Sequence, residues 1–121
     1  MIKLKRIYAG AEHSDGYRVL VDRLWPRGVR KSDAKLDAWL RDLAPSTGLR
    51  KWFEHDPKKW PEFQRRYRAE LGSKTHLLQK LIADAADRDI TLVYASREQR
   101  YNNVTVLREV IERLLAHENH A

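Results

Sequence analysis

Short apolar segments alternate along the chain with longer segments of helical periodicity. Residues 2–8, 17–24 and 89–96 are rich in β-branched and aromatic side chains, and turn-forming residues separate the first two. This pattern predicts three β-strands. The third segment, DITLVYAS, is apolar almost without interruption, as is typical of a strand covered on both faces. We therefore expect it to lie in the middle of a sheet.

Four other segments carry apolar residues at intervals of three to four, which predicts helices. Proline, serine and asparagine near their beginnings, and a glycine at the end of one of them, are common helix start and stop signals. The predicted helices begin at residue 45 or 46, cover residues 57–71 and 74–86, and begin at residue 102 or 103.

Two segments fit these patterns less well. Residues 36–43 agree with a helix, but the turns around them also allow an extended piece. Residues 117–121 lack an apolar stripe, so we expect them to fray. A chain of 121 residues has the size of one domain. We expect a single α/β domain at residues 1–116, followed by a frayed tail.

Strands separated by helical crossovers predict an α/β fold, with a small, mainly parallel sheet and helices on its faces in a Rossmann-like sandwich. Ligands of such sheets usually bind beyond the carboxyl ends of the strands. In a parallel sheet, the loops after the three predicted strands meet at that edge. They would bring together Tyr8, His13, Asp22, Arg23, Trp25, Arg27, Ser96, Arg97, Tyr101, Asn102 and Asn103.

The composition adds a preference for anionic partners. Lysine and arginine number 24 against 17 aspartate and glutamate residues, and the formal charge is +7. The field of such a protein attracts anions. The absence of cysteine excludes disulfides and thiol chemistry. No segment resembles a signal peptide or a transmembrane helix, so we expect a soluble cytoplasmic protein without membrane association.

The stretch DRLWPRG after the second predicted strand is the strongest candidate for a site. Arg23 and Arg27 each offer a planar fork of donors that matches a phosphate or a carboxylate. Asp22 would then orient one of these arginines, while Tyr8 and Trp25 would form the walls. In the alternative interpretation Asp22 pairs with an arginine and Trp25 fills the core, so that the cluster is purely structural.

Hydrogen bonds to the expected anion would come from Ser96, Asn102 and Asn103, which follow the third predicted strand. Asp22 and His55 are the candidate bases if the protein is an enzyme. His55 qualifies only if folding brings it to the loop edge. Its neighbour Asp56 precedes a proline, a sequence that favours helix capping.

No motif indicates a metal or a bound cofactor. The five histidines lack the spacing of known zinc motifs. The chain also lacks a phosphate-binding lysine loop, a dinucleotide fingerprint and a nucleophile elbow. If the protein is an enzyme, it would therefore act without a cofactor. Phosphoryl or glycosyl transfer or hydrolysis is then the class of reaction that best fits the residues present. The alternatives are a nucleic-acid-associated or regulatory module and a protein that binds a partner chain.

Three blocks of the sequence resemble the YeaO-like branch of the bacterial proteins that contain a domain of unknown function. They are SDGYRVLVDRLWPRGVRK, LAPSTGLRKWFEHDPKKWPEFQRRYRAEL and LVYASREQRYNNVTVL, in this order along nearly the whole chain. The resemblance implies a small cytoplasmic α/β domain and brings no established reaction with it.

One position departs from that family. Its members usually have Asn-His-Ala at the start of the last helix, where this chain has Asn102, Asn103 and Val104. An amide neither titrates usefully nor commonly binds transition metals. The departure favours a binding or structural role for Asn103, or a loss of activity.

Overall fold

The computed structural model describes residues 1–119, with side chains up to His117. Within them, four strands form one sheet: β1 Ile2–Arg6, β2 Tyr17–Leu20, β3 Ala38–Trp39 and β4 Ile90–Tyr94. The spatial order is β1-β4-β2-β3, and all three pairings are parallel. The prediction of an α/β fold with a parallel sheet is confirmed, and β4 lies in the middle as expected.

The strands are shorter than the sequence pattern predicts. The chain leaves β1 in a 3₁₀ turn at Ile7–Ala9 instead of continuing to Tyr8. It leaves β2 soon after Leu20, and Asp22 then accepts a hydrogen bond from the backbone N–H of Ala95 through its side chain. Residues 21–24, predicted as strand, are therefore mostly loop, because the Asp22 carboxylate accepts the Ala95 N–H in place of a backbone carbonyl.

Five helices complete the fold of residues 1–119: α1 Lys31–Ala34, α2 Thr47–Phe53, α3 Trp60–Gly72, α4 Thr75–Ala85 and α5 Asn103–Asn119. The helix predicted from residue 57 begins with a separate 3₁₀ turn, Pro57–Lys59. Residues 36–43, for which two interpretations were open, form the extended β3 and then a 3₁₀ turn at Arg41–Leu43.

The two faces of the sheet are covered unequally. Helices α2 to α5 pack on one face and contribute the buried apolar side chains of the larger core cluster. The other face buries Leu20 and Val93 with Ala34 of α1. Trp25 and Trp39 pack against this smaller cluster, and their rings meet edge to face at 5.4 Å.

Charged residues of β1, of β2 and of the loop between them form a tight network. Asp15 and Arg18 are both 4% exposed, and their side chains approach to 2.6 Å. Lys5 also contacts Asp15. Together Lys5, Arg18 and a backbone hydrogen bond at Glu12 hold the pKa of the Asp15 carboxyl below its usual value, despite the opposing effect of burial. The network fastens the loop before β2 to the sheet.

The last helix extends further than the sequence predicts. Helix α5 continues to Asn119, three residues beyond the expected domain end at residue 116. The final two residues of the tail that was expected to fray lie outside the described residues. None of the helices in residues 1–119 has the length and apolar character needed to cross a membrane.

Candidate functional site

All four strands end at the same edge of the sheet because they are parallel. Beyond this edge, the loops after β2 and β4 enclose a cavity of about 280 Å³ together with helix α2 and residues that flank it. The cavity is lined by Asp22, Arg23, Leu24, Trp25, Pro26, Ala44, Pro45, Arg50, Phe53, His55, Phe63, Ala95, Ser96 and Asn103.

The fold brings several of the predicted site residues together but separates others from them. Tyr8, Arg27 and Asn102 do not line the cavity, although they lie in the loops that follow β1, β2 and β4. His13 lies near the opposite edge, in a 3₁₀ turn just before β2, so its expected place beside the other loops is wrong. Those that share the cavity are Asp22, Arg23, Trp25, His55, Ser96 and Asn103.

Asp22 is the carboxylate of the cavity. Its Oδ2 atom accepts a hydrogen bond of 2.9 Å from the Ala95 N–H. Burial raises the pKa of the Asp22 carboxyl above its usual value, and this hydrogen bond and the charge of Arg50 offset only part of the rise. In residues 1–119, Asp22 forms no ion pair within 4.0 Å. The direct pairing of Asp22 with an arginine, on which the purely structural interpretation depends, is therefore absent from the described chain.

The cationic side of the cavity consists of Arg23 and Arg50. Arg23 donates from Nε to the carbonyl of Pro45 at 3.2 Å and from Nη2 to that of Ala44 at 3.3 Å. These bonds hold the guanidinium in place and leave Nη1 for a ligand. Arg50 is exposed on α2. Neither arginine belongs to an ion pair of the described chain.

His55 reaches the cavity from the turn after α2. Glu54 and His55 have positive φ angles of 48° and 56°, which reverse the chain there. The Nδ1 atom of His55 lies 3.2 Å from the Tyr101 carbonyl oxygen. Because a carbonyl can only accept, Nδ1 carries the proton in this contact. The Nε2 atom of a neutral ring is then the acceptor that remains for a ligand.

Aromatic rings form the apolar part of the wall. Phe53 and Phe63 are buried and stack at 4.2 Å between ring centroids. Trp25 is half-buried, and its indole N–H donates to the Val29 carbonyl at 2.8 Å. The rings therefore have fixed positions, and Trp25 both supports the core and borders the cavity.

The residues after β4 have mainly local roles. The Oγ atom of Ser96 accepts a hydrogen bond from the Glu98 N–H. Asn102 is buried and caps α5, since its Oδ1 atom accepts from the Val104 N–H at 3.0 Å. Its amide also donates to the Glu98 carbonyl. Both side chains are thus engaged within the chain.

Asn103 is the first residue of α5 and lines the cavity. Its side chain lies near the buried phenol of Tyr67, which donates to the Leu43 carbonyl. Burial raises the pKa of this phenol above its usual range, and Asn103 offsets part of the rise. The position that differs from the family pattern is therefore part of the cavity wall.

Tyr8 and Arg27 belong to the neighbouring surface. The Tyr8 hydroxyl donates to the backbone carbonyl of Arg27 at 3.0 Å. The Arg27 side chain is exposed and forms no ion pair in the described part of the chain. Arg27 does not line the cavity that Arg23 lines.

Arg50, Phe53 and Phe63 were not predicted as site residues from the sequence. Arg50 and Phe53 are three residues apart on α2, a spacing that places them on neighbouring positions of one helix face. This spacing was the signal available in the sequence, but it is equally typical of helix residues that pack in an ordinary core. No group of three or more potential metal ligands occurs among the residues described.

The chain has relatives along nearly its whole length. A family model described as "Inactive DUF488-N3 subclade" (DUF488-N3i) matches residues 1–121. The uncharacterized protein YeaO of Escherichia coli strain K12 is 41% identical over 113 residues, which are 93% of this chain and 98% of YeaO. The uncharacterized proteins Mb3100c of Mycobacterium bovis and Rv3073c of Mycobacterium tuberculosis are each 38% identical over 112 residues, 91% of this chain and 92% of theirs.

No solved structure gives a significant match to the chain. The family match and the identity to YeaO agree with the resemblance carried by the three sequence blocks. The chain therefore belongs to the YeaO-like DUF488-N3i family.

Proposed function

We propose that this protein binds a small phosphate- or carboxylate-bearing ligand in the cavity at the carboxyl edge of its sheet. The observation that carries the proposal is the pair Arg23 and Arg50, which line one cavity and form no salt bridge in the described chain, although Asp22 lies in the same cavity. Guanidinium groups keep their charge at any relevant pH and match both anions.

The two arginines differ in how they are held. The two carbonyl hydrogen bonds of Arg23 fix its guanidinium before a ligand arrives, so little side-chain freedom is lost on binding. Arg50 is exposed, which lets it close over a bound anion. Arg50 takes the role that the sequence suggested for Arg27.

Asp22 and His55 narrow the class of ligand. The ionised Asp22 carboxylate repels an anionic group, which is therefore expected to bind on the arginine side of the cavity, whereas the free oxygen of Asp22 attracts a hydroxyl or amine donor. The Nε2 atom of His55 offers a second acceptor. The preferred ligand thus carries an anionic group and hydrogen-bond donors on a small apolar frame that packs against Phe53 and Phe63.

The role we propose is binding without turnover. Asn103 stands where the family usually has a histidine, and an amide cannot act as an acid or base at that position. The family description contains the word "Inactive". Ser96 is engaged with the Glu98 N–H, which leaves Asp22 and His55 as the bases that a residual activity would require.

Thermal unfolding with and without anions tests the proposal. Sulfate, inorganic phosphate and glycerol 3-phosphate should raise the melting temperature of the wild type, because a ligand of the native state stabilises by about 2.7 kcal/mol at a hundredfold excess over its Kd. Glycerol 3-phosphate should bind most tightly, since it also offers hydroxyl donors.

Matched variants locate the effect. Arg50→Gln should lose most of the shift while it remains folded, and Arg27→Gln, with the same change of charge outside the cavity, should keep it. The proposal is wrong if no anion shifts the wild type, or if both variants lose the shift equally.

A further inference from the structure

A second concave surface adjoins the cavity. A depression of about 340 Å³ is lined by Arg6, Tyr8, Ala95 and Arg97, and Ala95 also lines the cavity. A further depression of about 410 Å³ shares Arg6 and Tyr8 and continues along β1. We call these two depressions the Arg6 groove. The groove adjoins the cavity at Ala95.

In the described part of the chain, three cations line the Arg6 groove, and one of them, Lys5, is already paired with Glu12 and Asp15. Arg6 donates to the carbonyls of Ala95 and Ser96 but to no carboxylate, and Arg97 is exposed. Neither arginine belongs to an ion pair among residues 1–119. Arg6 and Arg97, which line the same depression, therefore remain available to phosphate groups.

Tyr8 supplies an aromatic surface in the same groove. The residue is 51% exposed, which is unusual for a large ring. Its hydroxyl bonds to the Arg27 carbonyl, and the guanidinium carbon of Arg6 lies 5.1 Å from the ring centroid. The ring is held from two sides but remains accessible. Proteins that bind single strands combine such rings, on which bases stack, with a cationic groove that follows the backbone.

We propose that the Arg6 groove binds single-stranded nucleic acid, with phosphates at Arg6 and Arg97 and a base stacked on Tyr8. A duplex fits less well because its bases are already stacked on one another. An acidic protein segment would satisfy the arginines but would not use the ring. The proposal concerns a surface outside the cavity and does not depend on the small ligand proposed there.

Fluorescence anisotropy with a labelled oligothymidylate of about twelve nucleotides tests this inference. Tyr8→Leu should weaken binding at least about fivefold, which is the low end of the effect of losing one stacked base. Tyr8→Phe keeps the ring without the hydroxyl and should bind nearly as well as the wild type. A loss that is the same in both variants would trace to the Arg27 hydrogen bond and would overturn the stacking role.

The contribution of charge is tested by substituting one arginine inside the groove and one outside it. Arg97→Gln should weaken binding and reduce the dependence of log K on log salt by about 0.7, the value expected for one phosphate contact on a single strand. Arg113→Gln makes the same change on the exposed part of α5, about 15 Å along the helix from Asn103. It should have a much smaller effect.

Several results would overturn the inference. These are equal losses from the two arginine variants, undetectable binding of the wild type, tighter binding of a duplex than of the single strand, and binding of polyglutamate that matches the oligonucleotide. Sulfate titrations of Tyr8→Leu and Arg97→Gln should still show the thermal shift of the wild type. These titrations distinguish an error in the proposed nucleic-acid binding at the groove from an error in the proposed anion binding in the cavity.

Discussion

Asp22 shows how a single residue can be unfavourable for the fold and useful for a site. Its carboxyl is largely buried, has one backbone hydrogen bond and lacks a direct ion pair in the described chain. A protein that needed only to fasten the β2 loop could use an uncharged acceptor at this position. The carboxylate is better explained by a ligand that donates hydrogen bonds to it.

The raised pKa of Asp22 predicts a pH-dependent stability. Because the pKa of the carboxyl is higher in the folded than in the unfolded chain, where it is close to 3.8, the folded state binds the proton more tightly. The contribution of Asp22 to the free energy of unfolding is therefore greatest at low pH and is lost as the pH rises through the folded-state pKa.

Asp22→Asn removes this dependence while it keeps an oxygen for the Ala95 N–H. Relative to the wild type, the variant should gain stability between about pH 4 and about pH 7. Urea denaturation at both pH values measures this difference. A difference between variant and wild type that does not change with pH would contradict the account.

The sequence allowed only some of the site residues to be predicted. Asp22 and Arg23 follow directly from their position after a buried strand. Arg27 was expected to join them because it is close in sequence, but the turn through Pro26 and Gly28, where φ is 74°, takes it out of the cavity. Arg50 reaches the cavity through the packing of α2, and no local sequence signal records that contact.

At the scale of elements, the turn into β2 depends on one glycine. Gly16 has a φ of 68°, and a Cβ atom there would lie 2.3 Å from the Asp89 carbonyl oxygen. That carbonyl accepts the Tyr17 N–H, the first hydrogen bond between β2 and the chain before β4. The register of the two central strands therefore requires glycine at this position.

Gly16→Ala should lower the free energy of unfolding by about 2 to 4 kcal/mol, from strain and overpacking together. Gly10 has a similar φ of 81°, but nothing lies within 4 Å of the place of its Cβ. Gly10→Ala should cost only about 1 kcal/mol. Equal losses in chemical denaturation would show that the backbone angle, and not the contact, is the cause.

Helix α2 carries Arg50 and is held by a contact from α3. The Glu70 carboxylate accepts hydrogen bonds from the Ser46 N–H at 2.8 Å and from the Ser46 hydroxyl at 2.6 Å. The same hydroxyl oxygen caps α2 by accepting from the Leu49 N–H. Glu70 thus fixes the position of the helix that borders the cavity.

Glu70→Ala should lower stability by about 1 to 3 kcal/mol and should also weaken sulfate binding, although Glu70 does not line the cavity. Glu109→Ala is the control, because it removes a carboxylate that pairs with Arg68 on the surface. An exposed pair contributes at most about 1 kcal/mol, and sulfate binding should be unchanged. Calorimetric titration of both variants checks this. Unaltered sulfate affinity in Glu70→Ala would contradict the positioning role.

Most elements were predictable because their patterns are local. The segments rich in β-branched and aromatic residues that predict β1, β2 and β4, and the apolar stripes of α3 to α5, agree with the structure. Residues 36–43 were not predictable, because Trp39 pairs with Leu20 across the sheet and donates to the Asp22 carbonyl. These long-range contacts decide between two local conformations that the sequence allows equally.

At the scale of the whole molecule, the charge of +7 is distributed unevenly. On β1, Lys3 and Lys5 are paired with Asp89, Glu12 and Asp15. Arg23 and Arg50 of the cavity and Arg6 and Arg97 of the groove form no salt bridge among the described residues. Salt at high concentration should therefore weaken ligand binding more than folding.

The most direct test of the cavity as an anion site is an NMR titration with sulfate, followed through backbone amides and arginine Nε–Hε signals. The account predicts saturable shifts for Arg23, Arg50, Ala95 and Asn103, and small shifts for Arg27 and Arg113. Shifts that grow linearly without saturation and spread over all exposed arginines would show general attraction by a basic protein and would contradict a built site.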